Sequence, residues 1–359
     1  MKTKLVYVLT CSPDDHYIEQ AFMAVYSARH WNPDAYIVLF VDDLTDKLLK
    51  GKRAEILAYI SEKIVIPFDD LSLSMTYRSR IIKTSIRKQI DGDFLFIDCD
   101  TITQRSLEDI DCLDCEIGAV LESHLRVADF CDSLFQVHQK RLSTFNLDLK
   151  TEDLYFSSGV ILSRDCSDSF NLYNAWSSNW ETGLEKGLWA DQPALAKANH
   201  DASHIIKEIP RTYNCILFTQ PTFAEDSHIL HISSYKNPSL LFVNKTFSYI
   251  QEYGIKNDWL IESILKPCSS FLPFDYQIVH SSLSDRIRWI KNNVVFLKGY
   301  GRIIDPSYED FHMASRYQGI IKWLLRRRFT TLAMFSWMLW KRIHLWSKRN
   351  VLKENICHK

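Results

Sequence analysis

The sequence lacks the features that mark secreted chains. Its first apolar stretch, Leu5–Leu9, is too short for the core of a signal peptide, and no small-residue cleavage pattern precedes Asp14. Nine cysteines, an odd number scattered over 359 residues, are typical of reduced thiols and not of a disulfide framework. The lone pair Cys112 and Cys115 has no second pair at zinc-ribbon spacing. We therefore expect a cytosolic protein without a structural zinc.

Glycine is also scarce, and none lies between Thr10 and Tyr17, directly after the first apolar stretch. A nucleotidyltransferase on an α/β sheet usually carries a glycine-rich basic loop there, so this absence weighs against that class. The chain has no internal repeat and no low-complexity segment. Its hydrophobic content of 46% and charged content of 24% are those of an ordinary globular protein with a sizeable core.

The net charge is only −1, but the charges are unevenly distributed. From Arg316 onward eleven Lys and Arg face a single acid, Glu354, so the rest of the chain carries −11. An acidic body repels nucleic acid, and we expect no nucleic-acid partner. The basic C-terminal part instead predicts contact with another anionic surface.

Strand and helix patterns alternate along the first half. Apolar strand patterns cover Leu5–Leu9, Tyr36–Val41, Lys63–Ile66 and Phe94–Ile97, and helical spacing covers Tyr17–His30, Leu48–Ile60 and Arg80–Ile90. Further strands are predicted at Ile117–Leu121 and Tyr155–Leu162, and a further helix at Gln192–Asn199. The alternation predicts an α/β fold with a single doubly wound, mostly parallel sheet. Ligands of such sheets bind beyond the carboxyl ends of the strands.

Asp98 and Asp100 follow the apolar run Phe94–Ile97 at such a strand end. Alternation along the chain would place both carboxylates on the same side, where their repulsion favours a cation between them. Mg²⁺ or Mn²⁺ would relieve this repulsion and keep open positions for phosphate oxygens. A strand-ending turn with acidic caps is the alternative interpretation.

Further along the chain, His231 could supply a third ligand and Lys236 could neutralise a diphosphate. A packed or surface histidine is the alternative for His231, and His228 is a competing ligand. Asp191 and Gln192 begin a predicted helix, where Asp191 could simply be the N-cap.

Arg80, Lys83 and Arg87 share one helical face and could meet a diphosphate or lie in solvent. Asp91 and Asp93 are close enough in sequence to pair with Arg87, so only Arg80 and Lys83 are taken as candidates.

Taken in order, these motifs resemble glycosyltransferase family 8, the retaining GT-A enzymes that include bacterial lipopolysaccharide galactosyl- and glucosyltransferases. The resemblance spans residues 4–240 and rests on Asp14–Tyr17, Tyr77–Lys83, Phe94–Thr101, Tyr155–Leu162, Asp191-Gln192 and His231–Lys236. Three positions depart from the family pattern. Ser157 replaces an Asn, Pro193 replaces an Asp, and the segment after His231 is one residue shorter and lacks its Gly and Trp.

The resemblance implies a GT-A fold, a UDP-sugar donor of the UDP-Glc or UDP-Gal type, and a glycan or glycolipid acceptor. It implies Mn²⁺, or Mg²⁺, on Asp98, Asp100 and His231. Nucleotide contacts would come from Thr10, Asp14, Tyr17 and Asp98. Diphosphate and donor contacts would come from Arg80, Lys83, Ser157, Ser158, Gly159 and Lys236. The implied catalytic residues are Gln192, on the β-face of the donor sugar, and Asp191, on its hydroxyls.

The C-terminal segment 316–359 is predicted to associate with a membrane surface, after a catalytic domain over 1–240 and a helical extension over 241–315. Four tryptophans lie between Ile320 and Trp346, and basic residues bracket an apolar run between Arg328 and Lys341. A bilayer span needs about twenty residues, and this run is shorter. The pattern is typical of an interfacial helix on an anionic leaflet. A helix packed on the body is the alternative.

We therefore expect a cytoplasmic enzyme that is peripherally associated with the inner face of the cell membrane. Two other functions stay open at this point: a nucleotidyltransferase on a similar sheet, and an inactive GT-A scaffold held at the membrane.

Overall fold

The computed structural model describes residues 1–70, 72–130, 132–216, 226–232, 247, 250–255 and 258–265. All of them belong to one compact unit, formed by residues 1–235 and 243–265. Lys236, most of the predicted extension 241–315 and the whole of the predicted tail 316–359 lie outside the described residues. Within these ranges no helix has the length and apolar character needed to cross a membrane.

Ten strands are found in the described part of the chain. They are β1 (Lys4–Leu9), β2 (Ile37–Asp42), β3 (Glu62–Ile66), β4 (Phe94–Ile97), β5 (Thr101–Thr103), β6 (Ile117–Leu121), β7 (Phe156–Ser163), β8 (Lys207–Glu208), β9 (Cys215–Ile216) and β10 (Ile229–His231). Seven of them form the main sheet in the order β3-β2-β1-β4-β7-β6-β8. Only β7 runs antiparallel to its neighbours. The predicted α/β fold with a mostly parallel sheet is confirmed.

Helices lie along this sheet because strands such as β4 and β6 are apolar and buried at every position, so both faces of the sheet need cover. The described helices are α1 (Tyr17–Trp31), α2 (Asp43–Leu48), α3 (Met75–Gln89), α4 (Asp132–Leu142), α5 (Ser167–Glu185), α6 (Gln192–Asp201) and α7 (Asp258–Leu265). The indole rings of Trp176 and Trp180 on α5 are fully buried in the core beside α3 and α6.

Two helix predictions need correction, and one helix is found where none was predicted. The segment Leu48–Ile60 does not form the expected α-helix. Helix α2 ends at Leu48, Gly51 follows with a φ of +56°, and Gly51–Tyr59 is a 3-10 segment. Helix α3 begins five residues earlier than expected, since the Ser74 hydroxyl accepts a hydrogen bond from the backbone N–H of Tyr77 and caps it. Helix α4 was not predicted, because the chain from Leu121 to Asp153 is mostly polar and its composition favours a loop.

A second sheet, of order β5-β10-β9, was also not predicted. Its strands have only two or three residues, too few for a period to be seen. Strand β10 pairs antiparallel with β5, which sets His231 opposite Thr101. The backbone N–H of Ile232 donates to the carbonyl of Asp100 over 2.8 Å. This sheet therefore brings His231 to the end of β4, 131 residues away from Asp100 in sequence.

His138 on α4 is a buried histidine whose two ring nitrogens have no hydrogen-bond partner within the described ranges. Its ring centroid lies 4.4 Å from that of Tyr155 and 5.6 Å from that of Phe130. Burial, and to a smaller extent the charge of Arg141, lowers the pKa of His138 to about 4 from its ordinary value of 6.5. The His138 ring is therefore protonated at a lower pH in the folded protein than in the unfolded chain.

Because the unfolded chain binds that proton first, the stability supplied by neutral His138 is complete above pH 6.5 and is lost as the pH falls toward 4. We expect a loss of about 2–3 kcal/mol in the free energy of unfolding between pH 7 and pH 4.5 from this group alone. Urea unfolding of His138→Phe should lack that part of the pH dependence. The exposed His200→Phe should retain it, and equal pH dependence in all three proteins would refute the assignment.

Candidate metal and nucleotide-sugar site

Asp98, Asp100 and His231 converge at the carboxyl end of β4. Each offers one ligand atom, and these three atoms lie within 4.8 Å of one another. The Nε2 atom of His231 lies 3.1 Å from Oδ1 of Asp100. The backbone holds the end of the strand, since Asp98 N–H donates to the Gly159 carbonyl and the Thr101 hydroxyl donates to the Asp98 carbonyl, both over 2.8 Å.

The two carboxylates have pKa values shifted in opposite directions. Burial raises the pKa of Asp98, Lys83 opposes the rise, and the charge of Asp100 adds to it. Burial would also raise the pKa of Asp100, but the charge and the hydrogen bond of His231 lower it. Two carboxylates held this close are stabilised by a cation. Carboxylates suit Mg²⁺ and Mn²⁺, and a neutral imidazole can add a nitrogen ligand, so the donor set fits a divalent cation.

His231 is oriented by Asn214, a fully buried residue that is not among the predicted site residues. The Nδ1 atom of His231 lies 2.9 Å from Oδ1 of Asn214, and Asn214 Nδ2 donates to the Ser157 hydroxyl over 3.1 Å. With the amide oxygen facing the ring, Nδ1 carries the hydrogen and Nε2 is directed toward Asp100. Metal-binding histidines are commonly fixed in this way. Nothing in the sequence marks Asn214, which precedes a two-residue strand.

Gly159, expected as a donor contact, packs directly against two of the ligand residues. A Cβ atom at this position would lie 2.6 Å from Cε1 of His231, 3.0 Å from its Nδ1 and 3.1 Å from Oδ2 of Asp98. The short distances leave no room for a side chain. Gly159 therefore allows Asp98 and His231 to approach each other across β7.

We expect Gly159→Ala to weaken Mn²⁺ binding by about 10–100-fold, because the added methyl pushes the His231 ring and Asp98 apart. Calorimetric titration with Mn²⁺ measures this directly. Gly183→Ala on α5 is the control for general effects on folding, since its added carbon would meet the Phe145 ring. An unchanged Mn²⁺ affinity in Gly159→Ala would show that the packing does not shape the site.

Lys83 and Arg80 converge on Asp191 beside the carboxylates. Lys83 Nζ lies 3.0 Å from Oδ2 of Asp191 and 3.3 Å from Oδ1 of Asp98, and Arg80 Nε lies 3.1 Å from Oδ1 of Asp191. Burial alone would raise the pKa of Asp191, but Arg80 and Lys83 hold it well below its usual range. Asp191 does occupy the N-cap position of α6, yet its carboxylate caps no backbone N–H. The structure thus gives Asp191 an electrostatic role beyond the simple cap.

Arg87, on the same helix, does not pair with Asp91 or Asp93 as expected. It is buried at the other end of α3, donates to the Ile90 and Gly92 carbonyls, and lies 3.8 Å from Asp165. Asp93 instead pairs with Arg164 over 3.1 Å. Because α3 ends at Gln89 and the chain turns into β4, Arg87 reaches backbone carbonyls before either carboxylate.

A cavity of about 240 Å³ opens at the ends of β1 and β4. Its lining comprises Val8, Leu9, Thr10, Tyr17, Gln20, Met75, Thr76, Ser79, Arg80, Asp98, Cys99 and Asp100. Four predicted nucleotide and diphosphate residues, Thr10, Tyr17, Arg80 and Asp98, therefore share one space. Asp14 is exposed and does not line it, so its contact with the base stays a prediction.

Asp15, next to Asp14, closes the turn that carries Tyr17. Its carboxylate accepts from the Ser12 backbone and hydroxyl and from the Tyr17 backbone N–H, at 2.6–3.0 Å. Arg53 donates to the Asp15 carbonyl over 2.8 Å and to Glu19 over 2.7 Å. This network sets the start of α1 and thereby the position of Tyr17 at the cavity.

The remaining candidates lie on β7 and at the start of α6. Ser158 is buried, with its hydroxyl 3.4 Å from Lys83 Nζ, and Ser157 accepts from Asn214 as described. Gln192 follows Asp191, and its amide contacts Glu122 and the Phe156 carbonyl. Lys236 lies outside the described residues, so its predicted contact with the β-phosphate stays a prediction.

No family model matches the sequence, and no curated protein matches it. Solved structures similar in fold include the bifunctional glycosyltransferase WbbM in its apo form, with 16% identity, a TM-score of 0.49, and coverage of 74% of this chain and 51% of that one. The galactosyltransferase LgtC in complex with donor and acceptor sugar analogs has 14% identity, a TM-score of 0.47, and coverage of 72% of this chain and 99% of that one.

The glycosyltransferase GlyE of Streptococcus pneumoniae TIGR4 has 18% identity, a TM-score of 0.43 and coverage of 74% of this chain and 63% of that one. The chain thus spans about half the length of WbbM and under two thirds of GlyE. These likenesses concern the fold alone.

Proposed function

We propose that the protein is a metal-dependent glycosyltransferase. It transfers a hexose from a UDP-sugar to a lipid-linked glycan or a lipopolysaccharide- or capsule-type acceptor, with retention of the anomeric configuration. The observation that carries the proposal is the convergence of Asp98, Asp100 and His231 within 4.8 Å beside a cavity that Thr10, Tyr17 and Arg80 line. Retention, the donor and the acceptor class rest on the resemblance to glycosyltransferase family 8.

Charge supports a diphosphate ligand. Arg80 lines the cavity next to both aspartates, and Asp191 engages its Nε, so the guanidinium presents further N–H donors from a fixed position. A Mn²⁺ or Mg²⁺ ion on Asp98, Asp100 and His231 would supply Lewis-acid stabilisation of the departing diphosphate. Lys83 is nearly inaccessible, so its contribution is to hold Asp98 and Asp191 in place.

The nucleoside and the sugar would lie on opposite sides of the metal ligands. Tyr17 and Thr10, at the β1 side of the cavity, would contact the uridine. Gln192 and Asp191, at the start of α6, would face the donor sugar. Arg80 lines the cavity and also pairs with Asp191. It therefore lies between the residues that would contact the uridine and those that would contact the sugar.

Release of UDP from UDP-Glc, UDP-Gal and their N-acetyl forms, with Mn²⁺ and with EDTA, tests the proposal. We expect release that requires the metal and is stimulated by a glycan acceptor, with an α-linked product in the proton NMR spectrum. Pyrophosphate release from UTP and a sugar phosphate would identify a nucleotidyltransferase instead. The absence of both donor binding and metal-dependent turnover would contradict the proposal.

We further propose that the segment 316–359 holds the enzyme on the anionic cytoplasmic face of a membrane. Each basic residue near such a surface contributes about 1 kcal/mol, so three substitutions should weaken binding by about 100-fold. Flotation of the full chain with vesicles containing phosphatidylglycerol should therefore decrease strongly for the triple variant Arg326→Gln, Arg327→Gln and Arg328→Gln. The exposed Lys88→Gln is the control, and undiminished flotation of the triple variant would refute the proposal.

A further inference from the structure

The side-chain amide of Gln192 is fixed by two acceptors. Its Nε2 atom donates to Oε2 of Glu122 over 2.7 Å and to the Phe156 carbonyl over 2.8 Å. A carboxylate and a carbonyl can only accept, so both contacts require the nitrogen and settle the orientation of the amide. Both N–H groups are thereby used. No residue in the described part of the chain donates to the amide oxygen of Gln192.

Glu122 itself is held in a turn of unusual backbone conformation at the end of β6. Its N–H donates to the Tyr155 carbonyl over 2.8 Å. The next two residues, Ser123 and His124, have φ values of 55° and 56°, a conformation that residues other than glycine rarely adopt. Consecutive residues of this kind persist where the surrounding contacts enforce them, and they cluster at functional sites.

The same turn also contacts Asn214, the residue that orients His231. His124 Nε2 lies 2.7 Å from the carbonyl oxygen of Asn214, and the Asn214 amide orients His231 over 2.9 Å. Glu122 thus fixes Gln192 from one end of the turn, and His124 contacts the residue that orients His231 from the other. The turn therefore holds the Gln192 amide directly and supports His231 through Asn214.

We propose that Glu122 is a positioning residue that presents Gln192 to the donor sugar through its carbonyl oxygen alone. The proposal rests on the proposed glycosyltransferase function and specifies which atom of the Gln192 amide faces the donor sugar. With both N–H groups engaged, Gln192 can offer the sugar an electron pair but no hydrogen. Positive charge that develops at the anomeric carbon would be stabilised by this oxygen, whereas a freely rotating amide would present the nitrogen part of the time.

Turnover of Glu122→Ala and Glu122→Gln tests the positioning. Gln at position 122 can still accept from Gln192 through its own amide oxygen, whereas Ala cannot. We expect Glu122→Ala to lower kcat by about 10–100-fold with less than about 3-fold change in the KM of the donor, because a misplaced group costs rate more than binding. Glu122→Gln should recover most of the rate. Glu152→Ala, an exposed acid elsewhere, is the control.

A nitrogen-15 NMR spectrum of the side-chain amides provides a readout that needs no turnover. The Gln192 signal is identified by its absence in Gln192→Glu. In the wild type both amide protons should be shifted downfield and protected from exchange, and in Glu122→Ala one of them should lose both properties. An unchanged Gln192 signal in Glu122→Ala would overturn the inference.

The two readouts separate the inference from the proposed function. If the NMR change occurs and no UDP-sugar is turned over, the positioning contact stands and the proposed function fails. If turnover occurs and Glu122→Ala leaves both kcat and the amide signal unchanged, the inference fails and the proposed function stands.

Discussion

Asp100→Asn should lower metal-dependent UDP release by about 10²–10³-fold, the effect expected when one group that stabilises developing charge is removed. Asp100 faces Nε2 of His231 at 3.1 Å and lines the cavity, so the substitution removes one of the two charged ligands of the proposed metal site. The amide keeps the shape of the side chain but binds a divalent cation weakly. The apparent affinity for Mn²⁺ in the turnover assay should fall with the rate.

Asp109→Asn is the matched control, because Asp109 is exposed in the 3-10 segment Glu108–Cys112 of the same region. Its activity and Mn²⁺ dependence should equal those of the wild type. Wild-type turnover in Asp100→Asn, measured with a protein of unchanged circular dichroism, would exclude Asp100 as a metal ligand.

The second large effect is expected from Lys83→Met and concerns stability. The Lys83 ammonium is almost completely buried, 4.8 Å from the Phe96 ring centroid and 5.9 Å from that of Trp176. It lies between the carboxylates of Asp98 and Asp191. Methionine fills a similar volume but leaves both carboxylates without this cation. Breaking a buried pair by removing one partner costs about 3–5 kcal/mol, and we expect a loss in that range.

Urea unfolding in EDTA measures this loss without a contribution from bound metal. The double variant Lys83→Met with Asp191→Asn should regain part of the stability, because one of the two carboxylates that lose the Lys83 ammonium is neutralised as well. Lys88→Met, at an exposed position of the same helix, should unfold like the wild type. A Lys83→Met protein as stable as the wild type would show that the ammonium does not hold the two carboxylates.

The sequence predicts the parts of this site that depend on local pattern. Phe94–Ile97 is apolar at every position, so both the strand and the place of Asp98 at its carboxyl end could be predicted without a structure. Arg80 and Lys83 could be placed on one face of a helix by their spacing. The partnership of Lys83 with Asp191 could not be predicted, because these residues are 108 positions apart and meet only because α3 and α6 both pack on α5.

The supporting residues are those the sequence does not reveal. His231 could be named only from its order among the motifs, since the sheet of β5, β9 and β10 that positions it has no readable period. Asn214 and Glu122 act through single side-chain hydrogen bonds, which leave no pattern along the chain. Gly159 lies within a recognisable motif, but its packing against His231 and Asp98 appears only in three dimensions.

Pulsed electron paramagnetic resonance of Mn²⁺ bound to the protein with UDP tests the metal site most directly. The proposed site predicts one tightly bound Mn²⁺ with a coupling to a histidine nitrogen. That coupling should disappear in His231→Gln and remain in His228→Gln, whose ring stacks on Tyr213 with centroids 4.7 Å apart. Absence of bound Mn²⁺, or a nitrogen coupling that survives in His231→Gln, would contradict the site.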